Sequence, residues 1–352
     1  MKKPDILSKL INNSEKYEPE YYFENLMKYK SNLKNNFIKY YNKYGNVINE
    51  LYKSNPILKV ENKEIKRELE LNSEIGKSNY KLEKGNVAAI DGTTNMELDS
   101  LHFVKYFSIV IGSVSYSRGF EKTAEHWNTT IEVSELMEED NNTNFVISTM
   151  DIETNIDSSV SDFMLFKERE LATRLEEDYI FLDGCIFYEK LLKNKESITV
   201  YQELMKKKKV IGIIKDLNHN KELNNVASNL NSGTIRIVKS TKEDLKEDYS
   251  NLGINFDKIL KGVFKIKNKA YGFEVHEDLL EEMITLVFND CTKDSTSYEI
   301  PWLLTAIDKS IKNYKNNKNI NETVKSEIIS DMESEEDKEK VRNLFMHERK
   351  LR

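Results

Sequence analysis

"VAAIDGTTNME", residues 87–97, is the stretch on which the fold of this chain turns. Four small or branched apolar residues, Val87 to Ile90, run straight into Asp91, Gly92 and two threonines. A short unbroken apolar run suits a strand buried on both faces. Taken alone, the Asp-Gly pair is most simply a strand closing into a turn. The pattern recurs, however. "YIFLDGCIFY", residues 179–188, again ends an apolar run on Asp183 and Gly184. Two such strands set two carboxylates side by side at one edge of one sheet. On this reading Asp91 ends its strand because it binds metal, and Gly92 lets the backbone turn away without crowding the ion.

Composition bounds what surrounds this pair. The 352 residues are 39% hydrophobic and 32% charged, which predicts a soluble, polar chain able to bury a core, as one large domain or two ordinary ones. No segment approaches the roughly 18 consecutive apolar residues of a membrane helix. The opening "MKKPDILSKLINNSEKYEPE" has no apolar core of roughly ten residues behind its lysines, so a signal peptide is not expected. Cys185 and Cys291 give neither a disulfide framework nor zinc spacing, which fits a reducing, cytoplasmic setting. The net charge of −7 argues against a protein that coats nucleic acid electrostatically, though not against one that holds it locally. "MKKKKVIGIIK" (205–215) and "KGVFKIKNKAYGF" (261–273) are cationic, and the lysine run is either a solvated helix end or a basic flank to an acidic site.

Periodicity predicts the elements. Residues 19–53 space aromatic and aliphatic residues as an amphipathic helix, or two broken near Gly45. Tyr21, Tyr22, Phe37, Tyr40, Tyr41 and Tyr44 offer more aromatic surface than one domain should leave in water, so an interface is expected there. "LHFVKYFSIVIGSVSYSRG" reads as strand, "SDFMLFKERELATRLEEDY" as helix, "ITVYQELMKK" as helix, "VIGIIKD" as a buried strand and "GVFKIKNKAYGFEVH" as a hairpin. "DLLEEMITLVFNDC" and "PWLLTAIDKSIKNY" are helical, and the polar tail beyond them keeps only short amphipathic pieces. With four prolines in all and no linker, the expected organisation is a helical region at 1–84, one α/β domain at 85–315 and a polar helical tail at 316–352.

The acidic residues suggest a chemistry. Beside Asp91 and Asp183, the helix between them offers Glu168 and Glu170, "YGFEVHED" supplies Glu274 and His276, and "TAIDKSIK" supplies Asp308. Three or four carboxylates at strand and helix ends are what Mg²⁺ or Mn²⁺ needs for in-line phosphoryl chemistry. Zinc is disfavoured by two unpartnered cysteines and five scattered histidines. No GxSxG elbow, GxxxxGK[ST] loop or GxGxxG fingerprint occurs, which sets aside a serine hydrolase, a P-loop ATPase and a Rossmann dehydrogenase. Lys215, just past a buried strand, is a candidate cation for phosphate.

From about residue 85 to 315 the chain resembles the NurA nuclease family. "AAIDGTT" looks like the family's first-strand Asp-Gly-Ser motif, and "KERELATRLEEDYIFLDGCI" like its Glu-bearing helix followed by Leu-Asp-Gly-Ser-Leu. "VIGIIKD" resembles its Val-Ile-Gly-Ile-Ser-Lys strand, and "SYEIPWLLTAID" its late Tyr-Pro segment. The resemblance implies an RNase H-like mixed sheet flanked by helices, to which the residue pattern adds helical segments at both ends. It also implies a manganese- (or magnesium-) dependent nuclease on DNA ends, working as a homodimer with a hexameric HerA-like ATPase. By the same resemblance Asp91 and Asp183 are the strand metal ligands and Glu170 the helix carboxylate, with Glu168 its rival. Tyr298 and Asp308 are nearest to the late tyrosine and ligand. Thr93 and Cys185 replace the family's serines, Ile214 stands where a serine is expected, and "SYEIPW" is out of step with the Tyr-Pro spacing. A role in phage defence is compatible with such divergence. A non-catalytic subunit of the same fold, binding DNA or the motor, is the alternative expectation.

Overall fold

The computed structural model describes residues 6–17, 81–100, 104–132, 145–218, 220–266, 269–292 and 301–314, with isolated positions between 326 and 339. The helices expected at 19–53, and Tyr298, lie outside the described residues. The strands are β1 (Glu15–Tyr17), β2 (Val87–Ser100), β3 (Val104–Ser115), β4 (Glu125–Glu132), β5 (Tyr179–Asp183), β6 (Lys209–Ile214), β7 (Ile235–Ser240), β8 (Ile259–Ile266) and β9 (Lys269–His276). They form one sheet in the order β1-β4-β3-β2-β5-β6-β9-β8-β7. β5 runs parallel to β2 and β6 parallel to β5, while every other pairing is antiparallel. An antiparallel β2-β3-β4 meander followed by two strands parallel to β2 is the RNase H-like arrangement expected above.

The helices are α1 (Ile6–Asn13), α2 (Phe145–Arg174), α3 (Lys195–Lys207), α4 (Lys221–Ser228), α5 (Leu280–Thr292) and α6 (Trp302–Tyr314). The apolar runs of the three parallel strands follow from cover on both faces. On one face Ala88, Ile90, Ile180 and Leu182 bury against Phe163, Phe166 and Leu171 of α2, with Tyr201 and Leu204 of α3 behind. On the other, Val87, Ala89, Phe181, Ile211 and Ile213 bury against Met283 and Leu286 of α5 and Leu303, Leu304 and Ile307 of α6. α2 begins already at Phe145, so "FVISTMDIET" is its first half. No helix among the described residues is long and apolar enough to cross a membrane.

One expectation about the opening stretch is corrected. β2 does not end at Asp91: it continues through Gly92 to Ser100, paired with β3 down to Ser100 opposite Val104. What ends there is its parallel neighbour, since β5 accompanies β2 only along Val87–Ile90 and stops at Asp183. The lysine run is also placed. Lys208 Nζ donates to the carbonyls of Leu175 and Glu177, just past the end of α2, at 2.5 and 2.9 Å. Lys209 Nζ meets Glu282 at 3.0 Å and the Tyr179 hydroxyl at 3.1 Å. Both brace the start of β6, the end of the strand opposite Lys215.

Candidate active site

Parallel register brings the two aspartates together. Ile90 stands opposite Leu182, so Asp91 is the next position beside Asp183, on strands about 4.8 Å apart. Alternation along β2 and β5 puts both side chains on the face covered by α5 and α6. Asp183 pairs with Ile213 on β6, and two residues further Lys215 lies on that face too, its Nζ 2.7 Å from Asp183 Oδ2. Asp308 comes from α6, whose Ile307 and Ile311 anchor that helix on the same face. Lys312, one turn beyond, places its Nζ 2.7 Å from Asp308 Oδ2.

The fourth carboxylate arrives from the other face. A Cβ on Gly92 would lie 2.8 Å from Glu168 Oε1, so the bare glycine is the gap through which α2 pushes Glu168 towards the aspartates. This corrects the turn role given to Gly92, which sits within the β2 ladder. Gly184 does take the turning role, at φ +91°. Glu168 and Glu170 are about 200° apart on the helix, so only one can face this gap. Glu168 is 1% exposed and bonds Arg169 Nη1 through Oε2 at 2.5 Å. Glu170 instead pairs with Lys167, whose Nζ is 2.9 Å away and lies over the Trp127 ring of β4.

The electrostatics record the crowding. Asp91 is raised to about 7, first by burial and then by the Asp183 charge, with Asp308 adding to it; Lys215 and the Gly92 N–H, 2.8 Å from Oδ1, pull the other way. Glu168 is raised to about 8, chiefly by burial, opposed by Arg169 and reinforced by Asp91 and Asp183. Lys312 is raised, first through its bond to Asp308, with Asp91 and Asp183 contributing. The structure therefore brings together Asp91, Asp183, Asp308, Glu168 and Lys215.

Glu170 is not brought to this group. His276 lies at the other end of β9, opposite Ile259, where its Nδ1 accepts the Asp278 N–H at 3.2 Å. Glu274 is fully buried and bonds backbone amides beyond Asp183. Lys312 went unnoticed in the sequence, although its i,i+4 spacing from Asp308 was there to see.

The donors suit a hard divalent cation: four carboxylates, with no thiolate or imidazole among them. Burial and mutual repulsion that raise Asp91 and Glu168 are also what a bound cation would relieve. Among the described residues no three His, Cys, Asp or Glu side chains stand together as a ready metal cage. Asp183 and Asp308 are turned to Lys215 and Lys312 instead.

Residues 60–276, well over half of the chain, match the family described as NurA domain. The chain belongs to the NurA family. Membership in that family supports a DNA nuclease. Among solved structures, the NurA nuclease from Sulfolobus solfataricus is similar at 14% identity and a TM-score of 0.40, over 90% of this chain and 99% of that one. A NurA bound to dAMP and manganese is similar at 10% identity and a TM-score of 0.47, over 90% and 98%. An endonuclease V from Bacillus subtilis aligns at 15% identity and a TM-score of 0.34, over 67% and 82%. At such scores and identities neither the substrate nor the metal of those proteins carries over to this chain. No curated protein sequence matches the chain significantly.

Proposed function

We propose that this NurA-family protein is a Mn²⁺- or Mg²⁺-dependent deoxyribonuclease that hydrolyses phosphodiesters near DNA ends. The observation that carries the reading is the in-register pair Asp91 and Asp183, with Asp308 and Glu168 converging on it from the two faces of the sheet. Asp91, Asp183, Glu168 and Asp308 are the proposed metal ligands, Glu168 taking the helix position first given to Glu170. A divalent cation held there supplies charge neutralisation at the phosphate and lowers the pKa of a bound water.

The chain's own groups do the rest. Lys215, whose Nζ lies 2.7 Å from Asp183 Oδ2, sits where its ammonium would neutralise a non-bridging oxygen of a phosphate held at the carboxylates. The apolar residues beneath the carboxylates, Ile307 and Phe181 among them, hold the strands and α6 rigid under the reacting group. The family resemblance implies the finer parts of the proposal, a homodimer and a hexameric HerA-like ATPase as partner; two cysteines without a disulfide framework fit a cytoplasmic place of work, and DNA end processing or phage defence is the proposed role. Tyr298 is proposed to touch the substrate phosphate.

The test is cleavage of linear duplex DNA by the purified protein with and without Mn²⁺. Asp91→Asn and Asp183→Asn are each expected to abolish metal-dependent cleavage while leaving the circular dichroism spectrum unchanged. Metal-independent DNA binding with no nicking, alone and with the ATPase, would establish the non-catalytic subunit instead.

A further inference from the structure

The turn that follows Asp183 is gripped by two buried charges of opposite sign. Arg169, 1% exposed, reaches it from α2: Nη2 donates to the Cys185 carbonyl at 2.5 Å and Nε to the Ile186 carbonyl at 3.3 Å. The same guanidinium holds Glu168 Oε2 at 2.5 Å and the Leu165 carbonyl at 3.1 Å. Glu274, 0% exposed, reaches the turn from β9, and its Oε2 accepts the amides of Ile186 at 2.5 Å and Phe187 at 3.0 Å.

The sheet is shaped to admit this arrangement. Gly212 of β6 stands opposite Glu274, and Glu274 opposite Lys261, so the three form one row across the strands. A Cβ on Gly212 would lie 2.5 Å from the Gly184 carbonyl and 2.8 Å from the Ile186 nitrogen; its absence lets the turn lie down on the sheet. Glu274 Oε1 is held in place by the Thr241 hydroxyl at 2.5 Å and lies 3.5 Å from Lys261 Nζ. Lys261 in turn bonds Asp244 at 2.7 Å.

Buried ion pairs are poor stabilisers, because desolvation of each charge cancels much of their attraction, and apolar residues of similar volume serve stability as well or better. What they supply here is direction. Arg169 ties the Glu168 carboxylate and the Asp183 turn to one rigid planar group, and Glu274 opposes it by fixing the amides of the same turn.

We propose that Arg169 and Glu274 form an opposed clamp on residues 184–187 that sets Asp183 against Glu168, making both positioning residues of the nuclease centre. The inference rests on the metal-dependent reading of that centre, but its mechanical part does not. Neither residue touches the reacting atoms. Glu274 acts through the amides of the turn, and Arg169 through its carbonyls and the Glu168 carboxylate.

Hydrogen exchange without metal tests the mechanical part. Glu274→Gln is expected to raise the exchange rates of the Ile186 and Phe187 amides at least about tenfold over wild type, leaving the β2 and β6 amides protected. Calorimetric titration with Mn²⁺ tests the consequence. Glu274→Gln and Arg169→Lys are each expected to weaken Mn²⁺ binding by about 10- to 100-fold, as changes behind metal ligands do. If either variant fails to fold, Thr241→Val, which removes one bond to Glu274 Oε1, is expected to move both readouts in the same direction by a smaller factor. Unchanged exchange at 186 and 187, or lowered thermal stability with wild-type Mn²⁺ affinity, would overturn the clamp. A wild-type protein that binds no Mn²⁺ would defeat the metal-dependent reading and leave the clamp to be decided by exchange.

Discussion

Gly92→Ala separates the role of this glycine in the site from any role in the fold. The new Cβ would meet Glu168 Oε1 at 2.8 Å, Met164 Cγ at 2.9 Å and Ile111 Cγ2 at 3.0 Å. Comfortable contacts lie at about 3.5–4.0 Å, so the neighbours must retreat by roughly 0.5–1 Å. Ile111 is fully buried and branched at Cβ, and cannot give; Met164 and the end of Glu168 can. Overpacking of this kind costs about 1–3 kcal/mol, of which the preference for alanine over glycine in a strand returns about 0.5–1 kcal/mol. A net loss of about 0–2.5 kcal/mol lowers Tm by a few degrees at most. The carboxylate, the nearest of the three, must shift furthest, against its bond to Arg169. A shift of about 1 Å at a reacting centre costs on the order of 10²-fold in rate, or about 2.7 kcal/mol. Rate is thus expected to suffer more than stability. The assay is Mn²⁺-dependent cleavage of linear DNA well below Tm, with thermal melts run in parallel. An alanine variant that cuts at the wild-type rate would refute the idea that Gly92 is the passage for Glu168.

Three further outcomes are expected. Glu168→Gln should lower metal-dependent cleavage by at least about 100-fold, while Glu170→Gln, which loses its pairing with Lys167 and its charge near Arg174, should stay within roughly threefold of wild type; equal losses in steady-state rates would return the helix position to dispute. In EDTA, Tm should fall from about pH 5 to about pH 8: Asp91 and Glu168 titrate near 7 and 8 when folded but near 3.8 and 4.5 unfolded, so their contribution is complete below about pH 4 and is lost as pH rises through the folded values. Asp91→Asn should flatten that fall, and a flat wild-type profile in scanning calorimetry would contradict the crowding described here. Lys215→Gln should lower the slope of log affinity for DNA against log salt by about 0.7–0.9, as the loss of one phosphate contact does; fluorescence anisotropy showing an unchanged slope would remove Lys215 from the phosphate.

How far the site was legible depends on what each residue is bonded to. Asp183 could be read because its strand is short, parallel and buried on both faces, so the apolar run "YIFLD" ends where β5 ends. Asp91 was read correctly as a neighbour of Asp183 but wrongly as a terminus. The length of β2 beyond it is imposed by the antiparallel ladder to β3, and "TTNMELDS" signals it only through the short alternation of Met96 and Leu98 with polar residues. The choice between Glu168 and Glu170 went astray for a related reason. Glu170 rests on the family resemblance, and a helix with one wet face would have let its phase test that choice. In its second half, however, α2 is covered nearly all round: Lys167, Glu168, Arg169 and Thr173 are all buried, so no single stripe reports the phase. Arg169 and Glu274 were harder still. Their partners at the turn are main-chain carbonyls and amides, which every residue possesses, and no side-chain pattern in the sequence can announce a bond to groups that never vary. The parts of such a centre that bind a ligand leave their chemistry in residue types, whereas the parts that aim those residues are bonded to the backbone and become visible only when the chain is folded.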